Sequence, residues 1–178
     1  MQIDLKTCKL RPWRAGDEAS LTLHADNRDI WLNLRDRFPH PYTSADAEAW
    51  IRFASSKEPT TNFAIDVDGD AVGGVGLLLH DDVERVAAEI GYWLGESLWN
   101  RGIMSAVVAA VTQYGFDRFS LTRIYALPNA RNTASQRVLE KAGYAREGVL
   151  RRSAIKDGMI LDQVLFAITD EDFNRRGS

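Results

Sequence analysis

The chain has 178 residues, of which 45% are hydrophobic and 26% are charged, and this composition predicts one ordinary globular domain spanning residues 1–178. Its net charge of −3 at pH 7 argues against nucleic acid as a partner, because DNA and RNA binding depends on clustered lysine and arginine, and it favours cationic partners. The apolar runs are too short to cross a bilayer and the polar start lacks the features of a signal peptide, so we expect a cytoplasmic protein without a membrane partner.

Hydrophobic periodicity predicts the elements of the first half of the chain. In order, they are a strand over 6–11, helices over 17–25 and 29–36, a loop over 38–41, a helix opened by residue 43 that ends before residue 59, and a hairpin of strands over 63–67 and 72–79. Thr43 and Asp46 form an acidic variant of a capping box at the start of the third helix. The glycines at 73, 74 and 76 predict either a bulge or the close approach of a backbone or ligand.

The second half continues with alternating strands and helices. The predicted elements are a strand over 86–94, a helix with an apolar stripe from 103 to 114, a strand over 122–127, a helix over 133–142, a hairpin of strands over 144–155 and 159–168, and a short acidic helix. This order predicts an α/β (α+β) fold with a mixed, mostly antiparallel sheet of about seven strands and helices on both faces.

The junction between the strand 86–94 and the following helix is the most informative segment. The first amides of a helix have no partner within it and lie at the positive end of its dipole, so this junction suits a phosphate or pyrophosphate. Gly102 would let a phosphate approach the backbone, although a plain loop-to-helix junction explains one glycine as well. A Walker loop and a dinucleotide fingerprint both need residues that are absent here, so a mononucleotide or NAD site is not expected.

Cysteine and histidine predict no chemistry of their own. Cys8 has no second cysteine for an internal disulfide, and a small buried or half-exposed thiol in a strand is favoured over a nucleophile. His24, His40 and His80 are scattered without the spacing of metal ligands, so we expect no metal.

Four motifs resemble those of the GNAT superfamily of acyl-CoA-dependent N-acetyltransferases, and among its members the Rim type, which includes N-terminal acetyltransferases of ribosomal proteins. They are Glu89-Ile90-Gly91-Tyr92-Trp93-Leu94, Trp99-Asn100-Arg101-Gly102-Ile103-Met104-Ser105, Asn129-Ala130-Arg131-Asn132-Thr133-Ala134-Ser135 and Val138-Leu139-Glu140-Lys141-Ala142-Gly143-Tyr144. The resemblance covers nearly the whole chain and implies a single GNAT-like domain whose fourth and fifth strands (β4/β5 of the family) splay apart.

The resemblance also implies where acetyl-CoA, the expected co-substrate, would bind. The cofactor's pantetheine arm would pair with the backbone of Tyr92, Trp93 and Leu94. Its pyrophosphate would lie on the amides of the segment Arg101, Gly102, Ile103, Met104 and Ser105, with side-chain contacts from Asn100 and Arg101. Asn132 matches an asparagine that holds the cofactor arm, and an N-cap of the next helix is the alternative role. The usual arginine or glutamine and the usual glycine or alanine of the phosphate motif are replaced by Trp99 and Met104.

The catalytic groups follow from the same resemblance together with the chemistry of amines. Glu89 is the candidate base, because partial burial in the strand would raise its pKa, and a solvated or ion-paired glutamate is the alternative. Leu139 occupies the position of the family's frequent tyrosine acid. Ser135, one helical turn before it, resembles the serine that Rim-type enzymes use and is the candidate donor to the leaving thiolate, with bonding to its own helix backbone as the alternative. Tyr144 is a weaker donor candidate.

We therefore expect an acetyl-CoA-dependent N-acetyltransferase that acts on a primary amine, with a protein N-terminus as one acceptor class. His40 and Tyr42 could line the acceptor pocket, and a plain structural loop is the alternative. Three questions stay open at this level: whether the fold is a non-catalytic acyl-CoA sensor or scaffold, whether the acceptor is a small amine, and whether the acyl group is larger than acetyl. The sequence also leaves a homodimer open.

Overall fold

The computed structural model describes residues 2–56 and 58–176, with the side chain of Arg176 excepted. Its strands are β1 (Ile3–Asp4), β2 (Lys9–Pro12), β3 (Asn62–Val67), β4 (Asp70–Leu79), β5 (Ala87–Leu94), β6 (Arg123–Ala126), β7 (Ala145–Lys156) and β8 (Met159–Thr169). Its helices are α1 (Glu18–Ala25), α2 (Arg28–Trp31), α3 (Ser44–Ser55), α4 (Ile103–Phe119), α5 (Thr133–Ala142) and α6 (Asp170–Arg176). Short 3-10 turns cover Asp82–Glu84 and Glu96–Leu98.

Within these described residues the strands form one eight-stranded sheet in the order β1-β2-β3-β4-β5-β6-β8-β7. The pair β5 and β6 is parallel, and the pairs β1/β2, β2/β3, β3/β4, β6/β8 and β7/β8 are antiparallel. The mixed, mostly antiparallel α/β architecture expected from the sequence is confirmed. The expected number of about seven strands is one too few, because the short strand β1 was not anticipated.

The chain divides into two compact units, and β4, β5 and α4 each contribute to both. Unit 1 contains the residues up to Gly76 together with Tyr92–Val107, and unit 2 contains Leu77–Gly91 together with the residues from Val108 onward. The single domain expected from the composition stays a prediction.

The core of unit 1 lies between its helices and the strands β3 and β4. Its buried members are Trp13, Leu21, Ala25, Tyr42, Ala47, Ile51, Ala54, Ala64 and Ala71, with Phe38, Trp50 and Trp93 packed against them. The predicted capping box is present at the start of α3: the side chain of Thr43 accepts a hydrogen bond from the Asp46 amide, and the Asp46 carboxylate accepts one from the Thr43 amide. The capping box thus fixes where α3 begins, and the apolar stripe of the helix, Ala47, Ile51 and Ala54, is buried in this core.

A buried arginine joins three elements of unit 1. Arg11 on β2 donates one hydrogen bond of 2.6 Å to Asp66 on β3 and two, of 2.7 and 2.8 Å, to Asp17 at the start of α1. All three side chains are 8% exposed or less. The bonds to Asp17, opposed by burial, raise the pKa of Arg11. Burial alone would raise the pKa of Asp66, but hydrogen bonds from Arg11 and from the Gly69 amide lower it.

Unit 2 is built on β6, β8 and the β7–β8 hairpin, with the later turns of α4 packed closely on the sheet. A Cβ atom at Gly115 would lie 2.8 Å from the Ile124 side chain and 3.0 Å from that of Leu77, so glycine permits this approach. Helix α5 has the predicted bounds, because Asn132 caps its start and Gly143, with φ of 99°, ends it in the left-handed conformation.

Two predicted elements of the first half were wrong in extent. The strand expected over 6–11 begins only at Lys9, because the Leu5 amide donates to the Cys8 carbonyl at 2.9 Å and closes a turn between β1 and β2. The helix expected over 29–36 is limited to α2. After Trp31 the amides of Asn33 and Leu34 bond three residues back, which is a tighter turn than that of an α-helix.

Candidate functional site

The end of β5 in unit 1 is shaped by the close approach of Trp93 to β4. A Cβ atom at Gly73 would lie 2.5 Å from the Trp93 carbonyl oxygen, and one at Gly74 would lie 2.9 Å from the indole nitrogen of Trp93. The glycines of β4 thus leave room for a neighbouring backbone and ring, which is one of the explanations considered from the sequence. Tyr92 and Trp93 are half-buried and Leu94 is buried.

The loop that follows β5 is held at several points. The Gly95 amide donates to the Val72 carbonyl at 2.8 Å, and the indole nitrogen of Trp99 donates to the Leu94 carbonyl at 2.7 Å. A Cβ atom at Gly95 would lie 2.5 Å from Nδ1 of His24 on α1, so the loop also lies against this helix. The departure from the family motif at position 99 therefore has a structural role, because the indole braces the loop to the strand.

Asn27 connects the same loop to α2. Its side-chain nitrogen donates to the Glu96 carboxylate at 2.6 Å, while its side-chain oxygen accepts from the amides of Asp29 and Ile30 and caps α2. One side chain thus caps the start of α2 and also forms a hydrogen bond with the loop after β5.

Two of the three residues before α4 have left-handed backbone. Asn100 has φ of 61° and Gly102 has φ of 76°. A Cβ atom at Gly102 would meet nothing within 4 Å, so the backbone conformation, rather than crowding, requires glycine here. The first turn of α4 contains Ile103, Met104 and Ser105 and carries no acidic residue. Arg101 folds back, and its guanidinium donates to the Ser97 carbonyl at 2.9 Å.

Glu89 lies in unit 2, in the parallel pairing of β5 with β6. It is half-buried between the buried residues Ala88 and Ile90, and it pairs with Tyr125. The pairing extends from Ala87 to Glu89, whereas β5 continues to Leu94. The separation of the two strands implied by the family resemblance stays a prediction.

The start of α5 holds two further candidates. The side-chain oxygen of Asn132 accepts a hydrogen bond of 3.1 Å from the Ser135 amide, so the N-cap role is present, and the cofactor contact stays a prediction. Ser135 is half-buried in the first turn, and Leu139, one turn later, is fully buried.

The two acceptor candidates differ in exposure. His40 is exposed, with Nδ1 3.3 Å from the Asp26 carboxylate and its ring 5.6 Å from that of Trp31. Tyr42 is only 5% exposed, its ring lies 4.9 Å from that of Phe38, and burial, followed by the charge of Asp46, raises its pKa to about 12. This environment favours the structural alternative for Tyr42.

The surroundings of two other side chains, Tyr144 and Cys8, bear on the roles considered for them. Tyr144 is buried and its hydroxyl is 2.7 Å from that of Thr112, which favours a core role over that of a proton donor. Cys8 lies just before β2 rather than within a strand, and burial raises the pKa of its thiol, which argues against a nucleophile.

No grouping of three or more potential metal ligands occurs among residues 2–56 and 58–176. The helices in that part of the chain include none with the length and apolarity needed to cross a membrane.

Sequence reasoning missed the pair His80 and Tyr125. Nε2 of His80 lies 2.9 Å from the Tyr125 hydroxyl, and the two residues are separated by 45 positions in the chain. No local pattern of the sequence signals this pair, because the parallel register that puts Tyr125 opposite Glu89 is set by the folded sheet.

Comparison with known proteins identifies relatives over most of the chain. The family model described as an acetyltransferase (GNAT) domain matches residues 8–145. The probable N-acetyltransferase YjcK of Bacillus subtilis (strain 168) is 30% identical over 174 residues, which cover 94% of this chain and 96% of the relative. The ribosomal protein uS5-alanine N-acetyltransferase of Escherichia coli (strain K12) is 26% identical over 168 residues, covering 90% of this chain and 84% of that protein. The solved structure of Mycobacterium smegmatis RimJ in complex with CoA-disulfide is 27% identical with a TM-score of 0.79, and the match covers 94% of this chain and 87% of that one.

Proposed function

Because the chain belongs to the GNAT acetyltransferase family, we propose that it is an N-acetyltransferase whose acceptor is the N-terminal amine of a protein. The family, and with it acetyl-CoA-dependent N-acetyl transfer as the class of reaction, is confirmed. What we propose beyond the reaction class is the acceptor, a protein N-terminus. It is supported by the relative that acts on an alanine of ribosomal protein uS5 and by the Rim-type motifs of the chain.

The start of α4 supports binding of the cofactor's pyrophosphate. The amides of Ile103, Met104 and Ser105 are in the first turn, where the helix has no carbonyl four residues earlier to accept their hydrogen bonds. An anion can accept them instead. The first turn carries no carboxylate that would repel an anion. The donor set, which consists of backbone amides with Arg101 and Asn100 beside them, fits a diphosphate without further groups.

The end of β5 supports binding of the pantetheine arm. Trp93 and Leu94 pack closely against the glycines of β4, and the Leu94 carbonyl accepts a hydrogen bond from the Trp99 indole. These contacts hold the end of β5 in an extended conformation. An extended and rigid edge is the form of backbone that pairs with an amide-containing chain. Acetyl-CoA supplies the acetyl group as a thioester.

Glu89 and Ser135 carry the proton transfers in this proposal. The carboxylate of Glu89 takes a proton from the ammonium form of the acceptor, so that a neutral amine attacks the thioester carbonyl. A backbone amide of β5 polarises that carbonyl. The hydroxyl of Ser135 gives its proton to the departing thiolate, and Asn132 supports this role by fixing the first turn of α5.

The start of α4, together with the Trp99 hydrogen bond that holds the loop before it, is the observation on which the proposal depends most. The test is a titration of coenzyme A by calorimetry, followed by an assay of thiol release from acetyl-CoA with peptides carrying different N-termini, polyamines and amino acids. We expect coenzyme A to bind and thiol release to be fastest with a peptide N-terminus. Fast release with a small amine alone would replace the acceptor class.

Cofactor binding without thiol release from any amine would instead support a sensor or scaffold. Release with larger acyl thioesters would widen the donor range.

A further inference from the structure

A histidine and a tyrosine in unit 2, stacked and joined by a hydrogen bond, lie near the proposed base. The rings of His80 and Tyr125 are 5.7 Å apart and inclined by only 5°, and the Tyr125 hydroxyl is 2.9 Å from Nε2 of His80. Both side chains are half-buried. Stacking and the hydrogen bond together fix the orientation of each ring.

The register of the sheet brings this pair onto the same face as Glu89. Glu89 pairs directly with Tyr125 across parallel strands, which are about 4.8 Å apart, and paired residues point to the same face. The His80 amide donates to the Ala87 carbonyl at 3.2 Å, two residues before Glu89 on β5. Alternate residues of a strand share a face, so the imidazole lies on the side of the sheet that carries the carboxylate.

We propose that Tyr125 and His80 conduct to solvent the proton that Glu89 takes from the amine. This inference rests on the proposed function of Glu89 as the base. The protonated carboxyl of Glu89 gives its proton to the Tyr125 oxygen, directly or through one water, while the Tyr125 hydroxyl gives its own proton to Nε2 of His80. The imidazolium then loses the proton on Nδ1 to water. Glu89 is returned to the carboxylate form and no bond other than these N–H and O–H bonds changes.

The groups around the pair suit this transfer. Imidazole is the side chain that both accepts and releases a proton near neutral pH. Arg123, two residues before Tyr125 on β6, is bonded to both carboxylate oxygens of Glu147 and is thereby held in place. The hydrogen bonds that Arg123 donates to Glu147, and the smaller influence of Tyr125, raise the pKa of Arg123, so this guanidinium stays charged and does not compete for the proton.

The experiment compares His80→Ala and Tyr125→Phe with the wild-type protein in the thiol-release assay, using the best amine of the panel. Tyr125→Phe keeps the stacked ring and deletes only the hydroxyl. We expect kcat to fall about tenfold or more in both variants, less than the roughly 100-fold or more typical of a group that exchanges a proton with the substrate itself, with the affinity for coenzyme A unchanged. Added imidazole should restore kcat in His80→Ala, whereas pyrazole, which has the same shape and is far less basic, should not. Tyr114→Phe deletes a hydroxyl from α4 and should retain the wild-type kcat.

Three results would overturn the proton path. They are a wild-type kcat in Tyr125→Phe, equal rescue of His80→Ala by imidazole and pyrazole, which would indicate a filled cavity, and a loss in kcat matched by an equal loss in coenzyme A affinity. A wild-type protein that releases no thiol with any amine would overturn the proposed function and the proton path with it, so the two failures are distinguishable.

Discussion

The indole nitrogen of Trp99 donates a hydrogen bond to the backbone carbonyl of Leu94, across the loop that precedes α4. This bond closes the loop on the strand that it leaves. Trp99 is 40% exposed, so the ring does not serve mainly as core. Its donor is occupied, and we therefore expect Trp99 to act on the cofactor through the shape of the loop.

Replacing Trp99 by phenylalanine should weaken coenzyme A binding. Loss of one hydrogen bond of about 1 kcal/mol corresponds to about a fivefold increase in Kd. Calorimetry measures this directly. The matched control is Trp50→Phe on α3, which should leave Kd unchanged, and equal effects in the two variants would contradict a specific role for Trp99.

Replacing Gly102 by alanine should strain the start of α4. The residue has φ of 76°, where a side chain costs about 1–2 kcal/mol. We expect a lower Tm and weaker coenzyme A binding. Gly148→Ala is the control, because a Cβ there meets nothing within 4 Å and φ is not positive. Thermal unfolding of both variants with and without coenzyme A would show whether position 102 alone changes the ligand-induced rise in Tm.

Glu89→Gln and Ser135→Ala should separate catalysis from binding. We expect Glu89→Gln and Ser135→Ala each to lower kcat about 100-fold or more, in the range of acid-base catalysis. The affinity for coenzyme A should be nearly unchanged. Glu140→Gln on the exposed side of α5 and Ser153→Ala in the β7–β8 hairpin are the controls, and unchanged kinetics in both test variants would exclude the assigned roles.

Removing Arg11 should destabilise the fold strongly. Arg11→Met would leave the carboxylates of Asp17 and Asp66 buried without their cation, and the loss of one partner of a buried ionic group costs about 3–5 kcal/mol. Arg175→Met on α6 is the control, because the exposed ion pairs of that residue contribute about 0–1 kcal/mol. Urea unfolding of the two variants gives both free energies, and a small effect of Arg11→Met would show that the cluster relaxes or takes up water.

The lowered pKa of Asp66 predicts a dependence of stability on pH. A carboxyl whose folded pKa is below its unfolded pKa stabilises the fold above the ordinary value of 3.8, and this contribution is lost as pH falls below that value. The free energy of unfolding should therefore decrease in acid. Asp66→Asn should be less stable at pH 7 and should lose less stability between pH 5 and 3. Parallel curves for variant and wild type would contradict the assignment.

Local signals explain the parts of the structure that the sequence predicted well. The bounds of α5 follow from Asn132 and Gly143, which act on neighbouring backbone, and the start of α3 follows from Thr43 and Asp46. The family motifs, read in order, were enough to predict the fold class. These features depend on contacts within a few residues or on a pattern shared with relatives.

Contacts between distant residues could not be predicted in this way. The partner of Arg11 on β3 is 55 residues away, and that of His80 is 45 residues away. The role of Trp99 depends on a carbonyl whose position is set by β5, and the brevity of α2 depends on the turn after Trp31. Burial and register decide each case, and neither is encoded in a short stretch of sequence.

Asn27 gives this protein a position at which a change of one atom reverses an interaction. Its nitrogen attracts the Glu96 carboxylate, and its oxygen holds the first amides of α2. Asn27→Asp would keep the shape and the helix cap but would put two negative charges in contact at the loop before α4. A single changed side chain would thus loosen the loop before the proposed pyrophosphate-binding site, while the rest of the fold stayed intact.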